Sequence, residues 1–176
     1  MVFSTPIFLF AFLPFTILLY YFSQEKLRNV ILLAVSLIFY AWGEPYAVLL
    51  MIFSITINYM FGLLVVKSTQ PVLQKTVLIL SVIANLGILI VFKYSSFIII
   101  NLNTLLSTNL PDPQIPLPIG ISFFTFQAMS YVIDVYRKDG NVQKNYFSLA
   151  LYISFFPQLI AGPIVRYKDI DKQIRN

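Results

Sequence analysis

Histidine and cysteine are both absent from this 176-residue sequence, and Asp, Glu, Lys and Arg together make up only 11% of it. Without cysteine there is no disulfide, no thiolate metal site and no cysteine nucleophile, although the compartment stays open. Without histidine the commonest general base at neutral pH is missing. No glycine-rich phosphate loop, metal-ligand cluster or Ser/His/Asp set can be assembled from what remains. The residues therefore offer no catalytic candidate, no metal site and no bound cofactor. Charge is also scarce beside the roughly 25% of soluble domains. The twelve Lys and Arg outnumber seven Asp and Glu, but they lie singly or in pairs between apolar stretches, a distribution that argues against a nucleic-acid-binding face.

What fills the sequence is apolar: 59% of residues, in runs long enough to cross ~30 Å of hydrocarbon. The expected fold is an all-α integral membrane protein, a single membrane domain over 1–176 with about six hydrophobic helical segments. Phe3 to Phe22 lacks a basic leader and a small-residue cleavage site, so it reads as a retained first span rather than a signal peptide. Ser23 to Asn29 is the polar turn after it, and Val30 to Trp42 a second span ending at Gly43-Glu44-Pro45. Tyr46 to Val66 forms the third span, and Lys67 to Lys75 a loop. Thr76 to Phe92 forms the fourth, continued through Lys93 to Leu106 either as one long helix or as a separate surface piece, with the long helix favoured. Asn109 to Pro118 holds four of the ten prolines and cannot be regular helix. Pro118 then suits the start of a fifth span ending near Tyr136, with Gly140 as its stop.

The sixth segment, Phe147 to Val165, meets Pro157 after only about ten residues, roughly half a bilayer, and Gly162-Pro163 interrupts it again. A broken or re-entrant helix fits at least as well as a clean crossing. Lys26 and Arg28, Lys67 and Lys75, and Arg137, Lys138 and Lys144 fall on one side by alternation, which makes those loops cytoplasmic and the N-terminus external. A re-entrant sixth segment also returns the tail with Arg166, Lys168, Lys172 and Arg175 to the cytoplasm.

Polar residues concentrate in the fifth span, where Gln127, Tyr131 and Asp134 share one helical face. Two readings of Asp134 stand: an ion pair with Arg137 or Lys138 one turn away, or a place in a polar cavity. Asn58 and Asn85 read as interhelical hydrogen-bonding residues. Pro157 frees the carbonyl of Ile153, and Gln158 is placed to satisfy it or a ligand. Arg166 is either a topology anchor or a partner for phosphate or carboxylate.

Several stretches together resemble the alginate O-acetyltransferase branch of the membrane-bound O-acyltransferase family. They are Val2-Phe3-Ser4, Phe39-Tyr40-Ala41-Trp42-Gly43-Glu44-Pro45, Asn85-Leu86-Gly87 with Phe92-Lys93-Tyr94, Leu117-Pro118-Ile119-Gly120-Ile121-Ser122-Phe123-Phe124-Thr125-Phe126-Gln127 with Asp134-Val135-Tyr136-Arg137, and Ser154-Phe155-Phe156-Pro157-Gln158-Leu159-Ile160-Ala161-Gly162-Pro163-Ile164. The resemblance implies a bacterial cytoplasmic-membrane protein that takes an acetyl group from a cytoplasmic donor such as acetyl-CoA. The group passes to hydroxyls of an exported polysaccharide, with an extracytoplasmic acetyltransferase as partner. D-alanyl transferases of teichoic acid are similar too. In such families the essential histidine lies in the later half, so this chain resembles the N-terminal portion alone and is expected to be inactive by itself. Carried over by motif, Gln127, Tyr131, Asp134, Gln158 and Arg166 line a tunnel or cavity, and Gly120, Pro157, Gly162 and Pro163 shape it. A non-catalytic scaffold or degenerate relative is the alternative reading, and a small transporter a third, since broken helices also mark transport sites.

Overall fold

The computed structural model describes residues 5–161 and 165–170, and within these the chain forms helices and turns with no strand. The predicted break at Gly162-Pro163 and the cations Lys172 and Arg175 lie outside the described residues. A π-helical turn at Phe8–Phe12 runs into α1 (Leu13–Phe22), followed by α2 (Glu25–Gly43) and α3 (Ala47–Lys67). Then come α4 (Pro71–Leu89), a second π-helical turn (Ile90–Tyr94), α5 (Ser95–Leu106), α6 (Ile121–Arg137), α7 (Tyr146–Ser154) and α8 (Phe156–Ala161).

Helix boundaries move from their expected positions for local reasons. Only Ser23 and Gln24 separate α1 from α2, because Glu25 to Asn29 form the first turn of α2, with Glu25 at its positive end. Pro71 starts α4 five residues earlier than expected, at the position where its missing N–H is harmless. Pro118 does not begin α6: it accepts a turn bond from the Ile121 N–H, and Gly120 at φ 78° intervenes before the helix starts. Gly140 does not stop α6 either. Lys138 adopts the left-handed cap at φ 60°, and the Asp134 carbonyl accepts from the Asp139 and Gly140 N–H groups.

Two helices are long and apolar enough to span a membrane: α3, and the continuous 36-residue run Pro71–Leu106. The favoured long helix is therefore observed, with Lys93 inside its π-helical turn and its ammonium over the Tyr94 ring. The N-terminal apolar helix Phe8–Phe22 and Leu27–Gly43 are shorter. Beyond α5 the proline loop is exposed, and hydrogen bonds from Ser96 and the Gln114 N–H hold the Asp112 carboxyl below the usual carboxylate range.

Polarity runs opposite to that of a water-soluble fold. Phe10, Phe22, Tyr46 and Leu105 are each more than 80% exposed, whereas Ser54, Asn58, Ser81, Asn85, Thr125 and Ser154 are wholly buried. The Ser54, Thr125 and Ser154 hydroxyls are buried without a hydrogen-bond partner among the described residues, whereas Asn58, Ser81 and Asn85 satisfy one another at the centre of α3 and α4. Asn58 Nδ2 donates to Asn85 Oδ1 at 3.0 Å, and Asn85 Nδ2 returns the bond to Asn58 Oδ1 at 2.8 Å. Each amide also donates one turn back, to the Ser54 and Ser81 carbonyls. The pair is thus the interhelical bond expected of these asparagines. Nearby, Gly62 lets α6 approach α3: a Cβ there would sit 2.5 Å from the Tyr131 hydroxyl.

Asn58→Ala and Asn85→Ala should each cost about 1–2 kcal/mol, and the double variant less than their sum, because each single change strands a buried amide. Unfolding in detergent by a double-mutant cycle measures this, and strictly additive losses would contradict the pairing.

Candidate functional site

The most unusual backbone in the bundle is the gap between α7 and α8. α7 is nine residues long, about 14 Å at ~1.5 Å per residue, and Phe155 leaves the helix at ψ 111°. The chain resumes at Phe156 with Pro157 in the first turn of α8, where a proline is tolerated. The last carbonyls of α7 and the first N–H groups of α8 consequently need partners from elsewhere.

Neighbouring helices supply them. Gln127 of α6 donates its Nε2 to the Tyr152 carbonyl at 2.6 Å and to Gln158 Oε1 at 2.9 Å. Ser36 of α2 accepts the Phe156 N–H on its Oγ at 3.4 Å while donating to the Leu32 carbonyl at 2.7 Å. The expectation for Gln158 therefore changes: the amide that satisfies α7 comes from α6, it serves Tyr152 rather than Ile153, and Gln158 acts as acceptor. Periodicity within one helix carries no information about which neighbour reaches across.

Other motif stretches meet at the same place. Tyr40 of α2 donates its hydroxyl to the Ile119 carbonyl at 2.8 Å, tying Phe39-Tyr40 to the Leu117-to-Gly120 segment. Gly120 in turn abuts α8, since a Cβ would lie 3.2 Å from the Leu159 carbonyl. Phe39 packs with Phe156 at 5.5 Å and with Phe8 at 5.6 Å, the latter presented by the N-terminal π-helical turn. Segments separated by more than a hundred residues thus converge around one helix break.

Residues 165–170 come back to the end from which α7 starts. Tyr167 is wholly buried against Tyr131 at 4.9 Å and Tyr152 at 5.3 Å, and it lies against Gly140. The Tyr152 hydroxyl donates to the Val165 carbonyl at 2.7 Å, and the Lys168 N–H donates to Asp134 Oδ2 at 3.4 Å. Asp134 therefore does not form the i+3 or i+4 ion pair offered as one of its two readings. Its carboxylate anchors the returning strand of chain, while Lys138 leaves the helix as its left-handed cap. Tyr131 accepts the Gln143 N–H on its hydroxyl at 3.2 Å.

Between the break and α1–α2 lies a cleft of about 500 Å³, lined by Tyr20, Asn29, Tyr152, Gln158 and Asp169 with Leu32, Leu151, Phe155, Val165 and Ile170. Arg28 stacks over the Tyr20 ring at 5.2 Å beside it, with its Nε buried and unpaired. Of the residues singled out in the sequence, Gln158 faces this cleft directly and Gln127 stands behind it. Tyr131 and Asp134 lie in the tyrosine cluster, and Arg166 is exposed at the start of the returning turn. Gly162 and Pro163 lie outside the described residues. Tyr20, Asn29, Tyr152, Tyr167 and Asp169 were not singled out, because tyrosines and single polar residues at segment ends look alike in so aromatic a sequence. Amides, a phenol and a carboxylate can bind and orient a polar ligand, and no cluster of His, Cys, Asp or Glu suited to a metal occurs among the described residues.

Replacing Gln127 by Leu should destabilise the fold by roughly 1–3 kcal/mol, because the Tyr152 carbonyl loses its donor, whereas Gln158→Leu should cost less. Thermal unfolding of the two variants in detergent checks the order, and a larger loss for Gln158→Leu would contradict the assigned roles.

No protein-family model matches the chain, and no solved structure matches it. Among curated proteins, the probable alginate O-acetylase AlgI of Pseudomonas aeruginosa is 41% identical over 181 residues, covering all of this chain and 35% of the relative. The AlgI of Azotobacter vinelandii is 38% identical over 181 residues, again covering the whole chain and 36% of the relative. A peptidoglycan O-acetyltransferase of Helicobacter pylori is 37% identical over 207 residues, covering the whole chain and 39% of that protein. The chain thus spans little more than a third of the length of these relatives.

Proposed function

The chain belongs to the alginate O-acetylase-like branch of the membrane-bound O-acyltransferases, matching the N-terminal part of its relatives, and from that premise we propose that it serves polysaccharide O-acetylation in a membrane. The observation carrying this reading is identity of about 40% across the entire chain to proteins named for acetylating two different polysaccharides. The apolar exterior and the two long apolar helices support a bilayer setting. On this reading the chain crosses the bacterial cytoplasmic membrane several times in about six segments, with the N-terminus outside, and α7–α8 enters and turns back. The return of residues 165–170 to the start of α7 supports that path.

The proposed reaction moves an acetyl group from a cytoplasmic donor, of which acetyl-CoA is an example, to a hydroxyl of an exported polysaccharide, with an extracytoplasmic acetyltransferase as partner. Within it, Gln127, Tyr131, Asp134, Gln158 and Arg166 shape the wall of the acyl path rather than perform chemistry. The absence of histidine in these 176 residues supports a division in which another group supplies the proton transfer. The same absence favours the second reading, a non-catalytic scaffold of the same system.

Disrupting the gene that encodes this chain should remove O-acetyl esters from the exported polysaccharide, measured as the acetyl methyl signal in proton NMR of the purified polymer. Unchanged ester content would sink the proposal. Gln127→Leu restored to the disrupted strain should recover only part of the signal, whereas Lys93→Gln should recover all of it.

A further inference from the structure

A second cleft, of about 670 Å³, opens where α3 ends and α4 begins, bounded by the end of α6 and the 138–144 loop. Its walls divide by chemistry. Val66 is its exposed apolar side, with Val65 and Val135 buried behind it, and Lys138, Lys144 and Gln74 form a polar one. Neither lysine has an ion-pair partner among the described residues. Lys67 ends α3, Lys75 lies early in α4 and Arg137 ends α6, and Asp139 is the sole carboxylate in stretches 67–75 and 137–145. The neighbouring Asp134 carboxylate is engaged with the Lys168 N–H.

The loop carrying the lysines is held at several points. The Tyr59 hydroxyl donates to the Lys144 carbonyl at 2.7 Å, the Gln143 N–H donates to the Tyr131 hydroxyl at 3.2 Å, and the Asp139 N–H donates to the Asp134 carbonyl at 3.0 Å. The cations are therefore presented from a fixed backbone, which lowers the ordering cost of binding.

We propose that this cleft binds an anionic phospholipid, its phosphate between Lys138 and Lys144 and its acyl chains passing the exposed Val66 at the end of α3. The inference rests on the membrane reading above. Lipid is favoured over a soluble anion because Val66 lines the same cleft as the two lysines and is 55% exposed, and a small hydrated anion would leave it in water.

The test uses the purified full chain, stripped of lipid in detergent and titrated with phosphatidylglycerol, phosphatidylethanolamine or inorganic phosphate by native mass spectrometry. The variant is Lys138→Asn with Lys144→Gln, asparagine being chosen because it tolerates the left-handed cap at φ 60°. Phosphatidylglycerol binding should weaken roughly 25-fold, from the ~fivefold that each surface lysine contributes toward anionic lipid. Phosphatidylethanolamine binding should stay weak in both proteins, and Lys93→Gln should leave phosphatidylglycerol binding unchanged. Equal phosphatidylglycerol affinity in wild type and double variant overturns the site, as does displacement of the lipid by inorganic phosphate. Flotation with liposomes separates the two readings. A chain that floats but binds phosphatidylglycerol indifferently refutes the site alone, whereas one that fails to float refutes the membrane reading itself.

Discussion

Gln127 makes the helix break possible. A carbonyl at the end of a helix, surrounded by apolar side chains and without water, costs several kcal/mol if left bare. α7 ends with such carbonyls in the middle of the bundle, and the Gln127 amide supplies a donor to Tyr152 while holding Gln158 in place. Ser36 does the complementary job for the Phe156 N–H. The break is thereby confined to a spot where α2 and α6 both deliver a polar atom. The positions of those helices then constrain the rest: Tyr40 reaches Ile119, and residue 120 favours glycine because its φ is 78° and a Cβ would lie a tight 3.2 Å from the Leu159 carbonyl.

Which parts of this were legible in the sequence follows from what kind of information each part needs. Asn58 and Asn85 stand out as amides in apolar runs, so their interhelical hydrogen-bonding role was readable without knowing the fold, whereas their choice of each other as partners was not. The break was readable too, because proline chemistry is local. The identity of the partners was not. Gln127 and Gln158 are 31 residues apart, and nothing in helical periodicity states that α6 lies against α7 at that height. The tyrosine cluster of Tyr131, Tyr152 and Tyr167 was hidden for another reason: with eleven tyrosines and seventeen phenylalanines in the chain, no single aromatic is conspicuous. Asp134 looked ready for an ion pair with its own helix, whereas the partner seen in the structure is the Lys168 N–H, which comes from a segment 34 residues away.

The long helix Pro71–Leu106 raises a question of fit. Its 36 residues correspond to about 54 Å, well beyond ~30 Å of hydrocarbon. Lys93 lies about 33 Å from Pro71 by the same rise, so the π-helical turn falls near the far interface if α4 begins at the near one. That places the charge at a depth where its side chain can reach water, and the cation–π contact with Tyr94 suits an interfacial position. On this geometry α5 is an extension past the bilayer rather than half of a hairpin.

The two clefts also differ in what they can contribute. At the break, Gln158, Asn29 and Tyr152 provide neutral hydrogen-bonding groups against apolar walls, with Asp169 the sole carboxylate of the lining. Amides neither accept nor release a proton at neutral pH. Acetyl transfer to a sugar hydroxyl requires that the hydroxyl lose its proton as the new ester forms. A surface of this composition can hold a thioester or ester and exclude water around it, which accounts for part of a rate through positioning. On the proposed function the amides of this cleft position the acyl group, and the proton transfer is a separate task that they do not perform.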